Sequence, residues 1–344
     1  MLRIFSKIKR LMFPRLKVSR WADRHRRISQ GTFADAIKWD SKRALYQQGI
    51  MDAVSDDEVE EVIIMSSGQA GKTEMILNII GYYIDHDPSP ILCLQPTLKM
   101  AQIFSMERLS TMFWDTPVLR RKIKSARTQD TGNGILHRTF PGGHITIAGM
   151  DSACPRSRPI KVVLMDEVDS YPVSARTRRG PMRTAEERTK AFRDRKMIKA
   201  STPTIRWRSR IEAEYLESSR EEWCVRCPRC RKYQPFAWER IHFSDVTMEC
   251  RFCGRHFEEA QWKKRKGKWI ASAPGIRRKR GFHINALSSP WMQWKDIIEA
   301  FLEADRELKN GNEKMMQMWV NNMLGETWDI ERYEDNHWGE EDYR

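Results

Sequence analysis

The sequence predicts an α/β fold: a mostly parallel sheet flanked by helices, built around a phosphate-binding P-loop and carrying a zinc-ribbon-like insert. Three observations predict it. The apolar run Val62-Ile63-Ile64-Met65 leads through a small-residue loop into a helix that opens Gly71-Lys72-Thr73. A second apolar run, Val162 to Met165, ends in the adjacent carboxylates Asp166 and Glu167. Two Cys-x-x-Cys pairs, Cys227/Cys230 and Cys250/Cys253, stand in one short block. Short apolar runs alternating with helical patterns are what parallel strands with crossover helices require.

With 344 residues, 40% of them hydrophobic, the chain can bury a sizeable core as two domains or as one large domain with an insert. A net charge of +15 makes an acidic polymer a natural partner. Five of the seven cysteines fall between 224 and 253, and no secretory pattern precedes them, which favours metal binding over disulfides. There is no apolar run of membrane-spanning length, so no transmembrane helix is expected. Residues 1–20 carry Arg3, Lys7, Lys9, Arg10, Arg15, Lys17 and Arg20 with no acid. They read either as an arm that docks on a partner or nucleic acid, or as a disordered tail.

In chain order, 21–60 forms a helical entry segment that ends in the acidic stretch Ser55-Asp56-Asp57-Glu58. The P-loop unit follows. Ser66, Ser67, Gly68, Gln69, Ala70 and Gly71 make the loop, and Lys72, Thr73 and Glu74 open a helix whose apolar positions are Met75, Ile76, Leu77, Ile79 and Ile80. The loop amides and the helix N-terminus are expected to face the phosphates. Lys72 would reach the β- and γ-phosphates of ATP, and the Thr73 hydroxyl would ligate Mg²⁺. Ser66 stands where the usual spacing has a glycine, and Gly68 follows two residues later, so the loop is expected to turn differently.

Ile91 to Leu94 is a further buried strand, followed by a helix from about Leu98 to Phe113. His144 to Gly149 alternates like a strand, and Lys161 to Met165 is another. Basic residues gather at 120–127, 176–199, 263–268 and 277–280. Amphipathic helices are expected over Trp294–Lys309 and around Glu313–Met323.

Ligands of open α/β sheets bind at the carboxyl ends of strands, so Asp166 and Glu167 belong beside the P-loop if their strands are neighbours. Asp166 suits the Mg²⁺ shell and Glu167 the base that orients attacking water. Ser201-Thr202-Pro203, also after a strand, is placed as a sensor of the γ-phosphate. The positive charge that phosphoryl transfer needs is sought among Arg156, Arg158, Arg178, Arg179, Arg183 and Arg188, with Arg156 chosen. Cys227, Cys230, Cys250 and Cys253 have zinc-ribbon spacing and would close a structural Zn²⁺ site, with Cys224 as a competing ligand. Cys93 and Cys154 read as ordinary residues.

Together these stretches resemble the ATPase part of the GpA-type large terminase subunits of tailed bacteriophages, DNA-packaging motors related to that of phage lambda. The likeness rests on Trp21-Ala-Asp, Ser66 to Glu74, Arg156 to Asp169, Ala200 to Thr204, the two cysteine knuckles, Gly281 to Leu287 and Asn322 to Trp328. It implies an ASCE-type ATPase that hydrolyses ATP with Mg²⁺ to move double-stranded DNA into a procapsid in the host cell cytoplasm. Its partners would be a small terminase subunit and the portal, and it would act as a homo-oligomeric ring. Lys72 and Thr73 would hold MgATP, Asp166 the metal, Glu167 would activate water, and Ser201-Thr202-Pro203 would couple hydrolysis to movement.

The resulting division is a basic arm (1–20), a P-loop ATPase domain (21–220), a zinc-ribbon-like insert (221–262), a C-terminal part of the ATPase region (263–328) and an acidic tail (329–344). An endonuclease domain is expected to be absent, because the tail is too short to fold one. Two rivals remain: a zinc-ribbon DNA-binding protein and a helicase-like ATPase.

Overall fold

The computed structural model describes residues 16–28, 36–123, 134–151, 159–172 and 181–329. Most of the basic arm, Lys124 and Arg127, Cys154, the arginines at 156, 158, 178 and 179, the Arg183 side chain and the acidic tail from 330 onward lie outside the described residues.

The apolar runs become strands because each is buried on both faces, which only a continuous hydrophobic sequence satisfies. The main sheet has ten strands. In chain order they are β1 (Glu61–Ser66), β2 (Ile91–Gln95), β3 (His137–Phe140), β4 (Gly143–Gly149), β5 (Val162–Asp166), β6 (Lys196–Ser201), β7 (Glu221–Arg226), β8 (Tyr233–Pro235), β9 (Gly267–Ala271) and β10 (Lys279–Ile284). Across the sheet the order is β8-β7-β10-β1-β6-β5-β2-β4-β3, and β9 pairs with β7. From β7 to β4 every neighbouring pair is parallel, while β3, β8 and β9 add antiparallel edges. One strand, β6, lies between β1 and β5. The two strands expected to be neighbours are therefore next-nearest, and the segment after β6 enters the gap between their ends.

Helices cover the sheet. Among them are α1 (Val18–His25), α2 (Leu45–Val54), α3 (Lys72–Asp85), α4 (Leu98–Ile103), α5 (Arg210–Leu216), α6 (Trp294–Lys309) and α7 (Glu313–Trp319). The helix after α4 widens into a π turn at Phe104–Leu109 before Ser110–Asp115, close to the expected span. Trp21 explains why α1 docks on α3. Its indole donates to Asp85 Oδ2 at 2.8 Å. A Cβ on Gly81 of α3 would lie 2.2 Å from the indole edge, so this contact requires glycine.

The cysteine block does not fold as a separate body. Its first strand, β7, pairs in parallel with β10. A small sheet of Ile241–His242, Thr247–Glu249 and His256–Glu258 follows. Trp238 and Trp262 from the block share one core with Trp294, Phe301 and Trp319 of α6 and α7. No helix among the described residues is long and apolar enough to cross a membrane.

Candidate functional site

The loop between β1 and α3 is shaped by contacts from both sides. Ser66 is the last residue of β1, paired with Ile284, so it is extended and needs no glycine. Gly71 has φ 80°, a conformation costly for a side chain, and a Cβ there would meet Gln47 Nε2 at 2.3 Å. The Ala70 carbonyl accepts from Gln47 Nε2 at 2.9 Å and from the Tyr46 hydroxyl at 3.2 Å. Ser67 N donates to Ile284 O at 2.8 Å and Gly68 N to Asn322 O at 2.9 Å. The amides of residues 69–74 make no hydrogen bond among the described residues. Orphan N–H groups at a helix start form an anion cradle.

The β6 segment supplies what the missing adjacency of β1 and β5 would have supplied. Lys72, 5% exposed, points across the gap. Its Nζ lies 2.8 Å from Thr202 Oγ1, 3.2 Å from Ser67 O and 3.6 Å from Glu167 Oε1. Glu167 Oε2 accepts from Ser201 Oγ and from Thr202 N, both at 3.3 Å. Glu167 is held in the left-handed region, φ 49° and ψ 54°. That costs a non-glycine residue about 1–2 kcal/mol and is the kind of strain found at functional positions.

Asp166 is buried, and burial, with the charge of Glu167 second, pushes its carboxyl up to about 6. Gln95 Nε2 donates to one carboxylate oxygen at 3.2 Å. The other, Oδ1, is buried with no partner. An orphaned carboxylate oxygen at the carboxyl end of a strand suits an oxygen-seeking cation, so the residues fit Mg²⁺.

Asp169 had no role in the sequence reading, yet it ties the two strand ends together. Its Oδ2 accepts from Thr204 Oγ1 at 3.0 Å, its Oδ1 from Ile211 N at 2.8 Å, and its own amide donates to Ser201 Oγ at 3.2 Å. Thr204 in turn is clasped by the C-terminal segment. Trp328 N donates to Thr204 O at 2.8 Å, and Asn321 Nδ2 donates to the same carbonyl at 2.8 Å. Gln47, Gln95, Asn321 and Gly325 were also unforeseen. Asp169, Thr204 and Gly325 carried a signal only through the family likeness, in the stretches Arg156 to Asp169, Ala200 to Thr204 and Asn322 to Trp328. Of the arginines considered, Arg188 pairs its carbonyl with Ile160 N, at the end of β5 opposite Asp166, and so is remote from the site. A cleft of about 320 Å³ opens beside the loop, bounded by Trp39, Arg43, Gln69, Gly71, Glu74 and Trp291.

The four cysteine sulfurs converge within 4.8 Å of one another. Cys227 Sγ–Cys253 Sγ is 3.8 Å and Cys230 Sγ–Cys250 Sγ is 3.7 Å. Thiolates bound at about 2.3 Å around a tetrahedral zinc stand about 3.8 Å apart, so the donor set and spacing fit Zn²⁺. Gly254 and Arg231, at φ 62° and 60°, make the knuckle turns. Cys224 lies outside this group, which excludes it as a competing ligand. Among the described residues this is the only group of three or more His, Cys, Asp or Glu side chains close enough to share a metal.

Fold and site together define a mixed α/β protein whose largely parallel sheet gathers a lysine, an orphaned carboxylate and a strained glutamate at one edge of its strand ends. The chain belongs to the phage terminase large subunit gpA family: the ATPase-domain model matches residues 34–269. The gpA endonuclease-domain model matches 279–340, which runs against the expectation that the endonuclease region is absent. The match begins inside the segment assigned above to the ATPase region. The terminase large subunit of Enterobacteria phage P21 is 25% identical over 91% of this chain and 53% of its own length. That of Escherichia phage lambda is 22% identical over 90% and 52%. The chain thus spans about half the length of these curated relatives. Among solved structures, the HK97 large terminase is similar over 54% of this chain and 37% of its own, at 16% identity and TM-score 0.43. The Thermus phage P74-26 large terminase ATPase domain is similar over 82% and 92%, at 14% identity and TM-score 0.42.

Proposed function

We propose that this chain is the ATP-hydrolysing part of a DNA-packaging motor, a P-loop ASCE-type ATPase that drives double-stranded DNA into a procapsid. The observation that carries this is the meeting of Lys72, Glu167 and Thr202 beside a loop with free amides. The orphan N–H groups of 69–74 would cradle the phosphates, and the cleft bounded by Trp39 and Trp291 would take the base. Thr73 and Asp166 would hold Mg²⁺, which supplies charge neutralisation at the phosphates. Glu167 would orient the attacking water and accept its proton. Lys72 bonds Thr202 and lies 3.6 Å from Glu167, and a γ-phosphate bound at the loop would compete with them for its ammonium. Its withdrawal frees both partners, which follow the neighbouring strands β6 and β5. That gives Ser201-Thr202-Pro203 a physical route to sensing the nucleotide. Zn²⁺ on the four cysteines would be structural, because four thiolates leave no open position.

DNA, a small terminase subunit, the portal and a ring of identical copies, acting in the host cell cytoplasm, are proposed as the working context. The test is ATP turnover with and without duplex DNA. Lys72→Ala is expected to lose nucleotide binding, and Glu167→Gln to keep binding while turnover falls on the order of 10²-fold or more, the scale of a lost general base. Normal turnover in Glu167→Gln would remove that residue from the chemistry, and turnover indifferent to DNA would remove the motor reading.

A further inference from the structure

We infer that the outer surface of the cysteine knuckles is a DNA-contacting site, a rigid clamp for the phosphate backbone of duplex DNA. The inference rests on the DNA-motor reading and gives the cysteine block a task besides holding itself together. Residues 226–232 and 251–255 contain no acid, and they place Arg226, Arg229, Arg231, Lys232, Arg251 and Arg255 on the surface. None of these six forms an ion pair with a described carboxylate. The adjacent Glu249 is engaged by Arg240, at 3.6 Å. Six like charges crowded on two short loops repel one another, an arrangement that a polyanion relieves.

Ring contacts show that the two knuckles make one surface. Phe252 of the second knuckle is 46% exposed. Lys232 Nζ of the first knuckle lies 5.1 Å from its ring centre, and Arg251 Cζ 5.3 Å. Tyr233 is flanked in the same way by Arg226 Cζ at 5.0 Å and by Lys268 Nζ of β9 at 4.4 Å. These contacts immobilise long cationic side chains before any ligand arrives, which lowers the entropy lost on binding. They also occupy the neighbourhood of both rings with the protein's own cations, so the rings are poor stacking platforms for an unpaired base. The chemistry that remains is sequence-tolerant contact with phosphates. Zinc on the four converging cysteines would hold the two knuckles in fixed register.

The test measures affinity for a random-sequence duplex against salt concentration, using the full chain with its zinc. Each lost phosphate contact lowers the slope of log K against log salt by about 0.9. The triple variant Arg229→Ala, Lys232→Ala, Arg251→Ala should lower it by about 2–3 and weaken binding about ten- to a hundredfold near 0.1 M salt. Zinc content and melting temperature of the variant should match the wild type. If they do not, Lys232→Ala alone carries the test, with a slope change of about 0.9 expected. An equal charge loss outside the knuckles, Lys295→Ala, Lys309→Ala, Lys314→Ala on α6 and α7, should change the slope little. A knuckle variant with wild-type slope and affinity overturns the inference, as does the α6–α7 variant with the same loss. A greater loss for single-stranded than for duplex DNA overturns the duplex assignment. A wild-type chain that binds no duplex at all instead removes the motor reading itself.

Discussion

Gly325→Ala tests whether the C-terminal segment holds the loop at 66–71 in place. Gly325 has φ 65° and ψ 30°. A Cβ built there would lie 2.6 Å from Ser67 N, 2.8 Å from Ile284 O and 2.8 Å from the Ser66 carbonyl carbon. All three are backbone atoms, so no rotamer change relieves the contact, and the segment must retreat. Retreat would strain the bond from Gly68 N to Asn322 O and disturb the Ser67 N to Ile284 O pair beside it. Left-handed backbone costs alanine about 1–2 kcal/mol. The clash and weakened hydrogen bonds add about 1–2 kcal/mol more. Gly311 is the internal control: its φ is 85° and nothing lies within 4 Å of its added Cβ, so Gly311→Ala meets only the conformational cost. Urea unfolding should therefore place Gly325→Ala about 1–2 kcal/mol below Gly311→Ala. Binding of a fluorescent ATP analogue should weaken about tenfold in Gly325→Ala only. Equal stability and equal nucleotide affinity in the two variants would refute the reasoning.

Three further outcomes are expected. Metal analysis should find one zinc per chain, and Cys250→Ser or a strong chelator should lower the melting temperature of the whole chain, since Trp238 and Trp262 share a core with α6 and α7; a separate low-temperature transition would show an independent insert instead. Lys199→Met should destabilise by about 3–5 kcal/mol. Burial alone would push the Lys199 ammonium down, but Glu214, Glu186 and Glu61 outweigh it and hold it above its usual value. Without it Glu61 and Glu186 lose this ion pair and Glu214 keeps only Lys279, so melts should show the loss largest near neutral pH and shrinking as the carboxylates protonate in acid, and a pH-independent loss would contradict this. A chain cut after residue 278 should be insoluble on expression, because β1 would lose its neighbour β10 and expose a sheet edge; a soluble, folded 1–278 fragment would contradict this.

The parts of the fold legible in the sequence are those where one strong local pattern is buried on both faces. β1, β2 and β5 are near-continuous apolar runs, and each was placed within a residue or two. β10 was not seen as a strand, because it begins Lys279-Arg280. Those charges are tolerated only through partners distant in sequence: Lys279 at 2.6 Å from Glu214, and Arg280 at 2.6 Å from Glu221. Local pattern cannot report a cross-element ion pair. The same holds at the site. Lys72, Asp166 and Glu167 stand at motif positions, whereas Asp169, Gln95 and Asn321 act through hydrogen bonds to other elements and have no spacing signature. The order of the strands was also hidden, since a run of apolar residues does not say which run lies beside it.

That hidden order decides what the boundary between the two matched family models means physically. The endonuclease-domain match begins at 279, the first residue of β10. Yet β10 runs in register with β1 from Lys279–Glu61 to Ile284–Ser66, so the matched region begins inside the sheet that carries the loop at 66–71. From there Asn322 and Ile284 grip the loop amides, while Asn321 and Trp328 grip Thr204, two residues past the Thr202 that accepts from Lys72. The same stretch thus touches both ends of the Lys72–Thr202 contact. A change at that contact cannot move Thr204 without loading residues 321–328. If nucleotide binds at Lys72 as proposed, residues 321–328 are the part of the matched endonuclease region that would feel its occupancy first.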